Sequence, residues 1–172
     1  MDRYNLPDKI KFRGCRIVYR NFSGAPDDFN KAGGKRSFAV VIDDPKLADK
    51  LEEDGWKLKR RPPRDEGGDE FITLKVNVNY DYKAPKIYTV VDSGNGKQKK
   101  TLLTESTVGQ LDHIDTQDIL DIKLSVVPHY WNNSNGEGIS AYCKVMWVTI
   151  EPDDFEDEFD FEDEDDEVPF DV

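Results

Sequence analysis

The stretch FITLKVNVNYDY, residues 71–82, has the cleanest alternation in the chain. Ile72, Leu74, Val76, Val78 and Tyr80 face one way, and Phe71, Thr73, Lys75, Asn77 and Asn79 face the other. A period of two marks a strand with one apolar face and one wet face. The neighbouring segments repeat the theme. KIKFRGCRIVYRNF (9–22) alternates until Gly14, where the pattern slips as it does at a bulge or sharp bend. RSFAVVID (36–43), KIYTVVDSGNGKQKKTLLT (86–104), ILDIKLSVVPHYW (119–131) and ISAYCKVMWVTI (139–150) read as further strands, the second of these as a hairpin around Gly-Asn-Gly. Trp56 to Lys59 alternates briefly as well.

Between these runs lie turn formers. SGAPDDFNKAGG (23–34) and RRPPRDEGGDE (60–70) are loops, and NNSNGEG (132–138) joins the last two strands. DDPKLADKLEEDG is punctuated as one short helix: Asp43 or Asp44 caps it, Pro45 suits its first turn, Leu47, Ala48 and Leu51 share a face, and Gly55 ends it. Seven or eight strands with one helix and no parallel βαβ rhythm predict an all-β fold with a minor α component. A small, mostly antiparallel barrel is favoured over a sandwich.

Charge divides the chain in two. Of its 36 acidic residues, 14 lie in residues 151–172, EPDDFEDEFDFEDEDDEVPFDV, where there is no Lys or Arg. Residues 1–150 hold all 24 basic residues against the remaining 22 acids. The net charge of −12 therefore misdescribes the body, which is slightly basic and open to polyanions. Residues 1–150 are expected to form one domain, and 151–172 a disordered acidic tail. Phe155, Phe159, Phe161 and Phe170 punctuate that tail. A solubility device has no use for exposed rings, whereas a partner's groove does. The tail also mimics a nucleic-acid backbone electrostatically and can compete for a cationic groove on its own body.

Chemistry for catalysis is missing. His113 and His129 have no Cys or His at metal-ligand spacing, so no metal, cofactor or catalytic residue is expected. There is no GxSxG, P-loop or helix-opening GxGxxG; GGKRS (33–37) lies between a loop and a strand, the wrong context for phosphate chemistry. Cys15 and Cys143 are expected to be buried thiols in a reducing compartment. The N-terminus lacks the apolar core of a signal peptide, and no run approaches a membrane span, so the expected place is the cytoplasm.

The body does mix cations with aromatics, as single-stranded nucleic acid requires: cations track phosphates and flat rings stack on bases, at about 1–3 kcal/mol each. Candidates for phosphates are Arg16, Arg20, Lys35, Arg36, Lys59, Arg60 and Arg61. Candidates for stacking are Tyr19, Phe22 and Phe29, followed by Tyr82 and Trp131. Phe22 has a competing reading as a plug closing the barrel end.

Arg20-Asn21-Phe22-Ser23-Gly24, Phe29-Asn30, Gly34, Arg36-Ser37-Phe38 and Asp54-Gly55-Trp56 resemble a family of phage-encoded single-stranded DNA-binding proteins. The segment from Thr107-Val108-Gly109 through Pro128-His129-Tyr130-Trp131 to Gly138-Ile139-Ser140-Ala141-Tyr142 is similar to the same family. The resemblance implies an OB-fold, a Greek-key barrel with an added hairpin here at 86–104. It implies non-catalytic coating of single-stranded DNA in phage replication, recombination or repair, in the cytoplasm of an infected bacterial host. It also implies that the acidic tail recruits replication or recombination proteins, although Asp171-Val172 follow the last aromatic. A homodimer is compatible with all of this. The alternative is an acidic DNA mimic that inhibits a host protein.

Overall fold

The computed structural model describes residues 6–26, 31–81, 84–92, 98–103, 111 and 113–151. Nine strands and one helix occur among them: β1 (Ile10–Arg13), β2 (Ile17–Asn21), β3 (Arg36–Val41), α1 (Pro45–Glu53), β4 (Lys59–Arg61), β5 (Phe71–Val78), β6 (Lys86–Asp92), β7 (Gln98–Leu103), β8 (Ile119–Asn133) and β9 (Gly136–Ile150).

All nine strands join one sheet, whose main path runs β1-β8-β9-β5-β3-β2. Its two ends, β1 and β2, are halves of one chain segment bent at Gly14, whose φ of 116° suits glycine. The path therefore begins and ends on the same bent strand, as in a barrel. Strand β5 joins β9 in parallel through Val76–Ala141 and Asn77–Tyr142, while β2–β3, β3–β5, β8–β9 and β1–β8 are antiparallel. Counted along the barrel, β1/β2, β3, β5, β8 and β9 are strands one to five, and the third and fifth are the parallel neighbours. This is the OB-fold in its Greek-key form.

The added hairpin is present as β6 and β7, with β6 running parallel to the C-terminal part of β9, from Lys86 opposite Val145 to Val91 opposite Ile150. Strands β8 and β9 are longer than their apolar runs suggest. They meet across a turn at Ser134–Asn135, so most of the expected loop at 132–138 is strand. Pro128 lies within β8 rather than near its end, but the pairing of β1 stops at Val126. Beyond that point β8 has no neighbour on that edge among the described residues, and a missing N–H does least harm there.

The core follows from the alternation. Ile72, Leu74, Val76 and Val78 are buried, with Phe38, Val40, Leu124, Val126, Cys143, Met146 and Val148 facing them. Asp44 caps α1 by accepting from the Lys46 amide at 3.0 Å, and Pro45 takes the first turn. Ala48 and Leu51 are the buried side chains of α1, and Trp56 is buried just beyond it.

One end of the barrel is sealed by residues 111 and 113–118. Leu111 and Ile114 are buried, and the Asp115 carboxylate accepts from the Phe22 and Ser23 amides at 2.6 and 3.2 Å. Phe22 is wholly buried and stacks on Phe38 with centroids 5.2 Å apart. The expectation that Phe22 stacks on a base is thereby corrected. Its ring is the plug, because the strand end it occupies is covered by a segment more than 90 residues away.

Candidate nucleic-acid interface

Residues directly opposite one another in neighbouring strands share a face. Since the even-numbered residues of β5 point inward, Phe71, Thr73, Lys75 and Asn77 point outward. Register then assembles the outer surface. Lys59 and Arg61 of β4 stand beside Thr73 and Phe71. Ser37, Ala39 and Val41 of β3 stand opposite Asn77, Lys75 and Thr73. Across β9, Tyr142 is level with Asn77, whose Nδ2 donates to the Ala141 carbonyl at 3.2 Å. From Tyr142 the surface continues onto Val127, His129 and Trp131 of β8.

Tyr19 joins this surface through a break in the ladder. The pairing of β2 with β3 shifts register between Val18 and Asn21, and Tyr19 has a φ of 53°, the one positive value outside glycine among the described residues. A left-handed residue in a register break re-aims its side chain, here outward, and Tyr19 is 55% exposed. The Arg61 guanidinium lies 5.4 Å from its centroid. On the strands between them, Ala39, Val41 and Thr73 point outward yet are buried.

Three further rings flank the face. His129 and Tyr142 stack at 4.7 Å with an interplanar angle of 22°. Trp131 lies against the Gly138 backbone, where an added Cβ would come within 3.0 Å of the ring. Glycine at 138 therefore lets the half-buried indole lie flat.

The remaining sequence candidates separate by what they touch. Lys35 is exposed beside the loop that precedes β3, and Arg16 is exposed near the start of β2, 3.9 Å from Asp43. Both ends of that Arg16–Asp43 pair are open to solvent, so it holds Arg16 weakly. Arg36 donates from Nε to the Phe22 carbonyl at 2.9 Å and lies over the Tyr80 ring. Arg20 donates from Nη1 to the carbonyls of Ile114 and Gln117, at 3.1 and 2.7 Å, and so ties down the barrel seal.

Arg60 faces away from the outer surface. It donates from Nε to Glu52 at 2.9 Å and from Nη2 to Asp49 at 2.8 Å and to Glu52, with Glu70 3.8 Å away. These bonds, first Glu52 and then Asp49, raise its already high pKa. Its expected role as a phosphate contact is corrected: three carboxylates neutralise it, and it fastens β4 to α1. Phe29 and Tyr82 lie outside the described residues, as do Phe155, Phe159, Phe161 and Phe170.

Sequence reasoning left out Lys75, His129 and Tyr142. Lys75 was visible on the wet face of the cleanest strand. His129 and Tyr142 were not, because only the parallel junction of β5 with β9 carries the surface onto the β8–β9 ribbon.

An OB-fold that shows cations and flat rings along its second and third strands, and onto the ribbon of strands four and five, defines a class of oligonucleotide-binding protein. Residues 2–171 match the family model of the phage ssDNA-binding domain. The chain belongs to that family, whose activity is binding rather than catalysis. No curated protein matches the sequence. Among solved structures it is similar to the single-stranded DNA-binding protein from bacteriophage Enc34, with a TM-score of 0.52 and 10% identity over 82% of this chain and 80% of that one. The Enc34 protein in complex with ssDNA matches with a TM-score of 0.52 and 13% identity, over 85% of this chain and 88% of that one. A C-terminal truncation of it gives 0.53 and 13%, over 85% and 87%. At such low identity these likenesses speak for the fold.

Proposed function

We propose that this protein coats single-stranded DNA without regard to sequence during phage replication, recombination or repair, in the cytoplasm of the infected bacterial cell. The observation that carries this reading is the gathering of Tyr19, Lys59, Arg61, Lys75, Tyr142, His129 and Trp131 on one outer face of a chain belonging to this family. The cations track phosphates, and Tyr19 and Trp131 offer rings to unpaired bases. Arg16, Lys35 and Arg36 border the face and extend the phosphate track. Stacking ignores base identity, which suits a coat.

The acidic segment 151–172 competes for the same face and recruits replication or recombination proteins through its phenylalanines. Its 14 carboxylates resemble a phosphate backbone, and its covalent attachment gives it a local concentration of about mM order.

A gel-shift titration with labelled single- and double-stranded oligonucleotides, on the whole chain and on a chain ending at Glu151, tests both parts. Both forms are expected to retain the single strand, the shorter one more tightly and with steeper salt dependence. Failure of both to bind single strands overturns the reading and favours a DNA mimic. Equal affinity of the two forms at low salt overturns the competition alone.

A further inference from the structure

The lower half of the β8–β9 ribbon carries a second set of cations and rings. Register places Arg13, Lys123, Trp147, Tyr88 and Leu102 in one row across β1, β8, β9, β6 and β7. A parallel row holds Lys11, Ser125, Val145 and Lys86. All of them point outward, since Leu124, Met146 and Ile87 between them are buried. Lys100 of β7 places its ammonium 4.2 Å from the Trp147 centroid, and Tyr88 meets Trp147 edge-on at 6.0 Å. A groove of about 300 Å³ runs between Lys11, Arg13, Lys123 and Trp147.

Two facts single this patch out. Arg13 stands directly opposite Lys123, a like-charge cross-strand pair that destabilises a sheet. Moreover, among the described residues no carboxylate pairs with Lys11, Arg13, Lys86 or Lys123, whereas Arg16 and Arg60 are both paired. Repulsion retained in a body with 22 acids to spare suggests a polyanion that relieves it. The patch is also continuous with the first face. Val126 pairs with Cys143 and Ser125 with Val145, so Lys144 is an extra, exposed residue in β9 between Tyr142 and Trp147.

Resting on the reading of the β3–β5 face as the primary site, we infer that the Arg13–Lys123–Trp147 patch is a second phosphodiester-binding segment, which takes the continuation of the same single strand past Lys144. Short strands fill the first face only; longer ones run onto the second.

The test uses the full chain with Lys11→Glu/Lys123→Glu, and Lys11→Gln/Lys123→Gln as a milder second variant. Affinity is measured for oligothymidylates of about 5 and about 16 nucleotides, the span known for OB-folds, over a range of salt. The expected result is unchanged affinity for the short strand, a reduction of about tenfold or more for the long one, and a log–log salt slope shallower by about 0.7 for each phosphate that is no longer neutralised. Lys123→Glu alone is expected to raise the melting temperature, because it turns a repulsive pair into an attractive one. Equal affinity and slope for the long strand overturn the inference and leave the primary site standing. An equal reduction on both lengths also overturns it, and marks the patch as a dock for the acidic tail. Loss of short-strand binding in Lys59→Ala/Lys75→Ala reports on the primary site alone.

Discussion

The Arg61 guanidinium lies 5.4 Å from the centre of the Tyr19 ring, so that β4 and β2 touch across the outer face of β5 and β3. An exposed cation–π contact of this kind is worth about 0.5–1 kcal/mol, little enough for a base to replace. Substituting Tyr19→Ala is expected to weaken single-strand binding by about 1–3 kcal/mol, and Tyr19→Phe by much less. Tyr19→Gly separates ring from backbone. Glycine relieves the left-handed φ but loses more chain entropy, so stability should stay within about 1 kcal/mol while affinity falls as in Tyr19→Ala. Fluorescence titration and thermal melts on the three variants check this.

Neighbouring arginines of β4 should behave oppositely. Arg61→Ala is expected to lower affinity and flatten the salt dependence by about 0.7 in log–log slope. Arg60→Ala removes the fastener to Asp49, Glu52 and Glu70, so it should lower the melting temperature and leave the salt slope unchanged. Affinities at several salt concentrations separate the two.

Phe22→Ala is expected to destabilise the fold by about 3–5 kcal/mol, the cost of an aromatic cavity in a core. Any weakening of binding should track the unfolded fraction, and a urea titration followed by binding at low temperature shows whether it does. A marked drop in affinity in fully folded Phe22→Ala would contradict the role of Phe22 as a plug.

Burial raises the Cys143 thiol from its ordinary 9.0 to about 12, and burial with the nearby Asp121 carboxylate does the same for Cys15. A pKa higher in the folded state means that the folded chain holds the proton longer. Stability from this source is therefore complete below about pH 9 and declines as pH climbs from 9 toward 12. Thiol-reagent uptake at pH 8 should be slow in the native protein and fast in denaturant. Alkaline melts should begin to fall near pH 9, and Cys143→Ala should reduce that fall.

Much of the barrel was legible because alternation is local: β3, β5, the bend at Gly14 and the capped helix all follow from spacing within a dozen residues. The seal over Phe22 was not, since Asp115 reaches it from 93 positions away and leaves no local mark. Arg60 was misread for a related reason. In the three-residue strand β4, parity alone decides which cation joins the outer face, and the Asp49–Glu52 pair that claims Arg60 sits on a helix whose orientation the sequence does not give. The candidate face was half legible: Tyr19, Lys59, Arg61 and Trp131 stood out from the mix of cations and rings, while placing Tyr142 and His129 beside them needed the β5–β9 junction.

Strand β7 pairs only with β6, so among the described residues its far side is an open border of the sheet. That border bears the exposed Lys99. Two copies of the chain brought side by side could zip together through such a margin, and a lysine there makes that fusion unfavourable. An approaching copy of the chain therefore meets charge along this margin before it reaches open backbone N–H and C=O groups.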